Sequence, residues 1–352
     1  RRVKINRINR LIACVSALAM VLLAGAQTAE DDRGRLLLQH ANVVESFETK
    51  NGEQLMCRGN VLFRQDSAYV SCDRSSFFRT SQQAYCAGHV IIFDGEHTLR
   101  ADSVSYDGNI HLEKAFGSVQ LRSGSKAMRS DTLFYYQDNG RAEAYGNVML
   151  QDTVKHVTVM GGMVVYKKNV DFASVERNPS LLSIDTTSND TLVMTGKRIS
   201  VWGEENRAVI EEDVTIQSIQ FTARSKLLTY LTAKDTLILE QDPSIVLDNE
   251  KMDADSIRIY IEDNTIESGE LLGNASIVSL DSINTDTITG NTIQLTAKPD
   301  SVREVVVTGR ATSTYYVSGE TPGVNTFSGD VIVMNFFKKE LKRVVVTSEP
   351  GM

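Results

Sequence analysis

The sequence predicts an elongated all-β fold built from stacked copies, and three observations carry that prediction. Gly59-Asn60-Val61, Gly88-His89-Val90, Gly117-Ser118-Val119 and Gly146-Asn147-Val148 begin at intervals of 29 residues. A second series keeps step with the first. Asp73, Asp102 and Asp131 each follow a repeat Gly by 14 residues and are followed four residues later by Phe77, Tyr106 and Tyr135. Within each copy apolar residues alternate, as in Val61/Phe63, Val90/Ile92, Val119/Leu121 and Val148/Leu150, with Gly, Asn, Asp and Ser punctuating every 6 to 10 residues. Period two with frequent turn residues describes strands, not helices.

The first segment stands apart from this pattern. Arg1, Arg2, Lys4, Arg7 and Arg10 precede an apolar run from Leu11 to Leu23 and then Ala24-Gly25-Ala26, the layout of an export signal cleaved after Ala26. The run of 13 residues falls short of the roughly 20 that cross a bilayer as a helix. Residues 1–26 are therefore expected to be a signal peptide, and the remainder an exported protein. The whole chain of 352 residues has a net charge of −8. The signal carries five positive charges and no negative ones, so the remainder carries −13. That balance speaks against nucleic acid as a partner. A hydrophobic content of 41% with only 4 Cys excludes both a wholly disordered chain and a disulfide-stapled miniprotein.

Two modules are expected downstream, a regular one over 27–160 and a degenerate one over 161–352. The second carries looser copies beginning at Asn178, Asp213, Asp242, Gly273 and Gly309, with the interval drifting between 29 and 36. Twenty-nine residues accommodate roughly three or four strands of ordinary length. One copy cannot bury its own apolar face and must stack on its neighbours. Leucine-rich repeats are set aside because their Leu-x-x-Leu-x-Leu pattern is missing, and helical repeats because of the period.

Candidate chemistry is sparse. The repeated Gly positions call for positive φ or close approach of backbone between layers. Asp73, Asp102 and Asp131 read as Asx-turn residues, with a calcium-binding carboxylate ladder as the sharper alternative opposed by like-charge repulsion. Cys57 and Cys86 share a repeat position that Ala115 and Ala144 occupy in the next copies. They are either small buried side chains or a disulfide between neighbouring layers, with Cys72 left unpaired. Ser123-Gly124-Ser125-Lys126 has the Ser-x-x-Lys spacing but falls at a turn between strands, not at a helix start. His40, His89, His97, His111 and His156 form no triad or metal spacing, so no catalytic residue, metal or cofactor is expected.

The anchors Ala101-Asp102-Ser103-Val104-Ser105-Tyr106 and Ala144-Tyr145-Gly146-Asn147-Val148 resemble the LptA/OstA family, closely from Leu36 to Asp152 and loosely to about Thr347. The resemblance implies an open β-jelly-roll, two antiparallel sheets folded over one another. It also implies a periplasmic lipopolysaccharide-transport role, without enzymatic chemistry, in which an apolar groove shields lipid A acyl chains during outer-membrane assembly. The partners implied are lipopolysaccharide, related β-jelly-roll proteins of the inner-membrane export complex and the outer-membrane translocon, and end-to-end self-association. The candidate groove wall is Val61, Phe63, Phe77, Val90, Ile92, Tyr106, Val119, Leu121, Tyr135, Val148 and Leu150. The sequence departs from the family in showing two modules where bridge proteins have about one. Two other readings stay open: a structural β-solenoid with a closed, dry core, and a polysaccharide-acting parallel β-helix enzyme. Arg343–Ser348 parallels Arg303–Thr308, so a further copy, or an edge that docks a partner strand, is expected there.

Overall fold

The structure is a computed structural model that describes residues 37–348 apart from 51, 66, 79, 185–190, 220, 248, 263–264, 280–284, 299–300, 318–322 and 338–339. The expected signal at 1–26, with Cys14, lies outside the described residues. Among the described residues, those up to Leu181 together with Ser200–Glu205 form one compact unit, and those of Leu182–Ile199 with those from Asn206 onward form another. No helix among the described residues is long and apolar enough to cross a membrane.

The first unit contains β1 (Leu37–His40), β2 (Val43–Thr49), β3 (Gly52–Gln65), β4 (Ala68–Phe78), β5 (Gln83–Phe93), β6 (His97–Asp107), β7 (Leu112–Ser123), β8 (Lys126–Tyr136), β9 (Arg141–Asp152), β10 (Val157–Lys167) and β11 (Phe172–Glu176). β1 and β2 both pair with β3, and from β3 to β11 each strand pairs antiparallel with the next. Each 29-residue copy is thus a hairpin of two strands of 11 to 14 residues, in place of the three or four shorter strands expected.

The reason lies in the Gly-x pairs. Gly59/Asn60, Gly88/His89, Gly117/Ser118 and Gly146/Asn147 all take left-handed φ. In β3 the ladder leaves Arg58 opposite Arg74 and resumes with Val61 opposite Cys72, two residues facing one. The same step recurs at Ala87/Val90 and Phe116/Val119. Such a bulge bends a strand without reversing it. With the bends at one level, the sheet folds on itself. Cys57, Leu55, Cys86 and Val104 from before the bend pack in one cluster with Val61, Phe63, Val70, Cys72, Val90 and Ile92 from beyond it. This two-layer, folded-over antiparallel arrangement is that of a β-jelly-roll.

The Asp series has a structural role in the same corners. A Cβ on Gly88, Gly117 or Gly146 would lie 2.2, 2.1 or 2.2 Å from Oδ2 of Asp73, Asp102 or Asp131, so the glycine is needed for space as well as for φ. Each Asp sits mid-strand beneath the corner of the next strand. His89 Nδ1 lies 2.8 Å from Asp73 Oδ2, and Asn147 Nδ2 donates to Asp131 Oδ2 at 3.1 Å. These carboxylates brace corners. They are not strand-entrance turns, and no group of three or more His, Cys, Asp or Glu suited to a metal occurs among the described residues.

Packing explains the residue preceding each Asp. Val61 faces Cys72, Val90 faces Ala101, Val119 faces Ser130 and Val148 faces Gly161, so a branched side chain on one strand always meets a small one on the next. Ser130 is the flaw in this row: it is buried and its hydroxyl has no hydrogen-bond partner. A buried unsatisfied hydroxyl costs about 1 kcal/mol or more. Ser130→Ala, which installs the residue found at position 101, is expected to raise stability by about 1 kcal/mol in urea unfolding.

The second unit follows the same rules with looser spacing. Its strands are paired antiparallel: β15 (Arg207–Gln217), β16 (Phe221–Leu231), β17 (Thr236–Glu240), β18 (Ser244–Leu247), β19 (Glu250–Asp253), β20 (Ser256–Glu262), β21 (Thr265–Ser279), β22 (Thr287–Lys298), β23 (Ser301–Val317), β24 (Gly323–Phe337) and β25 (Glu340–Thr347). Between the two sets lie β12 (Ser180–Ile184), β13 (Thr191–Thr195) and β14 (Arg198–Trp202). All five looser copies mark left-handed corners, at Arg177/Asn178, Glu212/Asp213, Gln241/Asp242, Gly273/Asn274 and Gly309/Arg310. At two of them the charges are exchanged. Lys197 Nζ lies 2.7 Å from Glu212 Oε2 and Lys226 Nζ 2.5 Å from Asp242 Oδ2, so the base now sits in the bracing position and the acid at the corner. Pro243 follows one corner directly. Having no N–H for the ladder, it splits what would be one bent strand into β17 and β18, which pair with opposite arms of β16.

Candidate functional site

The bend turns two rows of side chains toward each other in the first unit. Beyond the corner, Phe63, Val70, Ile92, Leu99, Leu121, Met128, Leu150 and Val159 are register partners in succession, an unbroken apolar row from β3 to β10. Seven strand spacings of about 4.8 Å make it about 34 Å long. Before the corner a second row runs Phe77, Ala84, Tyr106, Glu113, Tyr135, Ala142, Tyr166 and Ala173. Here every aromatic ring faces a smaller side chain, apart from the Tyr–Glu–Tyr step. This alternation is why the aromatic anchor recurs with the hairpin.

All eleven sequence-derived candidates fall on these rows or on the Val row at the corner. Val61, Phe63, Val90, Val119, Leu121, Tyr135, Val148 and Leu150 are buried, while Phe77, Ile92 and Tyr106 are half-buried. The corner row is closed: Val61, Val90 and Val148 are 1% exposed and Val119 0%. The interior is therefore packed side chain to side chain at that level.

One inward residue escaped the sequence reading. Glu113 occupies the position of Leu55, Ala84 and Ala142 in the other copies, so an acid at an otherwise apolar repeat position was the available signal. Tyr106 and Tyr135 flank it, and Gln137 Nε2 donates to its Oε1 at 2.5 Å. Burial pushes the Glu113 carboxyl above its ordinary range, with the Gln137 bond opposing. Burial first, and the Glu113 charge after it, push the Tyr106 and Tyr135 hydroxyls up. An acid raised on folding imposes no cost while protonated and opposes folding once ionised. Stability is expected to fall as pH rises from 4.5, the ordinary value, through the raised one. Urea midpoints of Glu113→Gln should exceed those of the parent at neutral pH and converge with them below pH 4.5.

Of the two readings of Cys57 and Cys86, the structure does not support the bridge. Cys57, Cys72 and Cys86 are all thiols. Cys57 and Cys86 face Ser75 from opposite sides of β4, because one repeat is two strands wide. Two spacings of about 4.8 Å exceed the roughly 7 Å over which Cα atoms can be bridged. Ser123 and Lys126 do flank the two-residue β7–β8 turn, as expected. On the outer face of that hairpin, Arg122, Lys126 and Arg129 surround a shallow hollow with Ser125, Gln151 and Thr153.

Residues 33–115 match the profile of the OstA-like proteins. No curated protein sequence matches the chain. Among solved structures, the chain is similar to LptH, the LptA-homologous periplasmic component of the conserved lipopolysaccharide transport device from Pseudomonas aeruginosa. The identity is 14% over 35% of this chain and 94% of LptH, with a TM-score of 0.31. Over residues 33–115, which span β1 to β6 and the start of β7, this chain is OstA-like in sequence.

Proposed function

We propose that this protein is an exported lipopolysaccharide-transport protein that holds lipid A acyl chains between the two arms of its folded sheet and moves them without covalent chemistry. The observation that carries this reading is the unbroken inward apolar row from Phe63 to Val159, found on strands whose first members match the OstA-like profile. The groove wall is assigned to the eleven inward residues named above.

The energetics favour such a role. Opening the arms around an acyl chain exchanges side chain–side chain packing for side chain–acyl packing, apolar for apolar. The net gain is withdrawal of the lipid from water, about 0.8 kcal/mol per methylene, or on the order of 10 kcal/mol for a dozen. Repulsion between lipid phosphates and an acidic exposed surface is screened beyond about 8 to 10 Å. Arg122, Lys126 and Arg129 give an anionic headgroup a local cationic counterpart at a strand end. Partner proteins of similar folded-over sheets would dock at the outer strands: Leu37, Val43, Val44 and Phe47 are exposed on β1 and β2, strands that pair only with β3 among the described residues.

A photo-crosslinking residue at Ile92 or Leu121 is expected to label lipid A in cells, while one at outward, exposed Arg100 is not. Labelling from Arg100 alone would sink the proposal. The closed Val row favours a second reading, a structural β protein with a permanently dry core. Mass spectrometry of native extracts separates the two, since a dry core carries no lipid.

A further inference from the structure

Three thiols meet in the first repeat. Cys57 and Cys72 belong to the buried cluster with Val61, Phe63 and Val90, and Cys86 packs against it. Cys57 accepts a hydrogen bond from the Ser75 hydroxyl, whereas the Cys86 thiol donates to Cys72. Cys72 and Cys86 stand on neighbouring strands and on opposite arms of the bend. Cys72 pairs with Val61 beyond the corner, and Cys86 faces Ser75 before it. No later copy repeats the arrangement, since Ala101 with Ala115 and Ser130 with Ala144 occupy the equivalent places.

We propose that Cys72 and Cys86 are a disulfide site that staples the two arms of the sheet together at the first repeat. Formation takes place by exchange with a disulfide-bearing oxidant, either an oxidised dithiol oxidoreductase or oxidised glutathione. Where the chain meets that oxidant rests on the exported reading above, but which thiols pair does not. The Cys72 thiolate attacks one sulfur of the oxidant and expels the other as a thiolate, leaving a mixed disulfide. Cys86, deprotonated, then attacks the Cys72 sulfur and expels the second thiolate. Two protein S–H bonds are lost, one S–S bond is gained, and the oxidant leaves as two thiols holding both protons.

Cys72 is suited to lead. Donation from the Cys86 thiol and from the Ala87 and Arg74 backbone N–H groups holds it below the ordinary thiol range, while the same contact and burial push Cys86 up. Because Cys72 is buried, exchange belongs to folding or to local opening of this repeat.

The test refolds the full chain from urea with oxidised and reduced glutathione, alkylates the remaining thiols and maps non-reduced tryptic peptides by mass. Cleavage at Arg58, Arg64, Arg74, Arg79 and Arg100 separates the three cysteines. The expected product joins the Cys72 and Cys86 peptides with loss of two hydrogens and leaves Cys57 alkylated. It forms equally in Cys57→Ala, is lost in Cys72→Ala and Cys86→Ala, and raises the folding equilibrium constant on the order of a hundredfold over the reduced chain. A dominant link through Cys57 or Cys14, or complete alkylation of all the thiols, overturns the proposal. The same map on protein alkylated in and recovered from whole cells isolates the other premise. The pair found in vitro but reduced in cells would contradict the exported location and leave the pairing standing.

Discussion

Gly117→Ala is expected to cost about 3 kcal/mol of stability in the first unit. Gly117 has φ +76°, where an L-residue pays roughly 1–2 kcal/mol. The added Cβ would also lie 2.1 Å from Asp102 Oδ2 and 2.8 Å from Asp102 Cβ. Rotating the carboxylate clears the first contact and leaves the second, so backbone must move, adding about 1–3 kcal/mol. Urea unfolding of three variants separates the terms. Asp102→Gly in the Gly117→Ala background should restore the steric part and leave the φ part. Ser118→Gly, at a neighbour held at φ +46°, should be neutral or slightly stabilising. A Gly117→Ala midpoint unchanged from the parent would mean that the corner is not a fixed bend.

Ile293→Ala is expected to cost about 3 kcal/mol, and Ile293→Val about 1 kcal/mol, in the second unit. Ile293 is 0% exposed and sits in a row of register partners, Ile257, Leu271, Ile293, Val307 and Ile332, each no more than 1% exposed. A side chain hemmed in on both sides by branched neighbours leaves a cavity that the sheet cannot close without breaking its ladder. Denaturant midpoints followed at constant slope would measure it. A cost near that of an exposed site would show that the degenerate copies are loosely packed, against the burial seen here.

The two units also show what weakens a repeat signal. In the first, a glycine and a small residue before the Asp satisfy corner and packing together, and the period stays at 29. In the second, Asp213 and Asp242 take the left-handed φ without glycine, lysines replace the bracing acids, and Pro243 breaks a strand. Each change preserves the bend by different chemistry. The corner survives in geometry while its residue pattern fades.

Sequence by itself determined the period, the all-β class, every corner from Gly59 to Gly309 that the copies marked, and the inward identity of the eleven candidate wall residues. Those follow from local rules: φ > 0 at Gly-x pairs and alternation of side chains across a strand. Only the tertiary structure decided what the corners do. Gly-Asn and Asp look locally like turns that end strands, yet the ladder resumes beyond them, so a copy is two bent strands and not three or four straight ones. That width places Cys57 and Cys86 two strands apart and brings Cys72 to Cys86 instead. It also sets Glu113 between two tyrosines. Neither juxtaposition is written in spacing along the chain, because both depend on strands pairing side by side and folding across a bend.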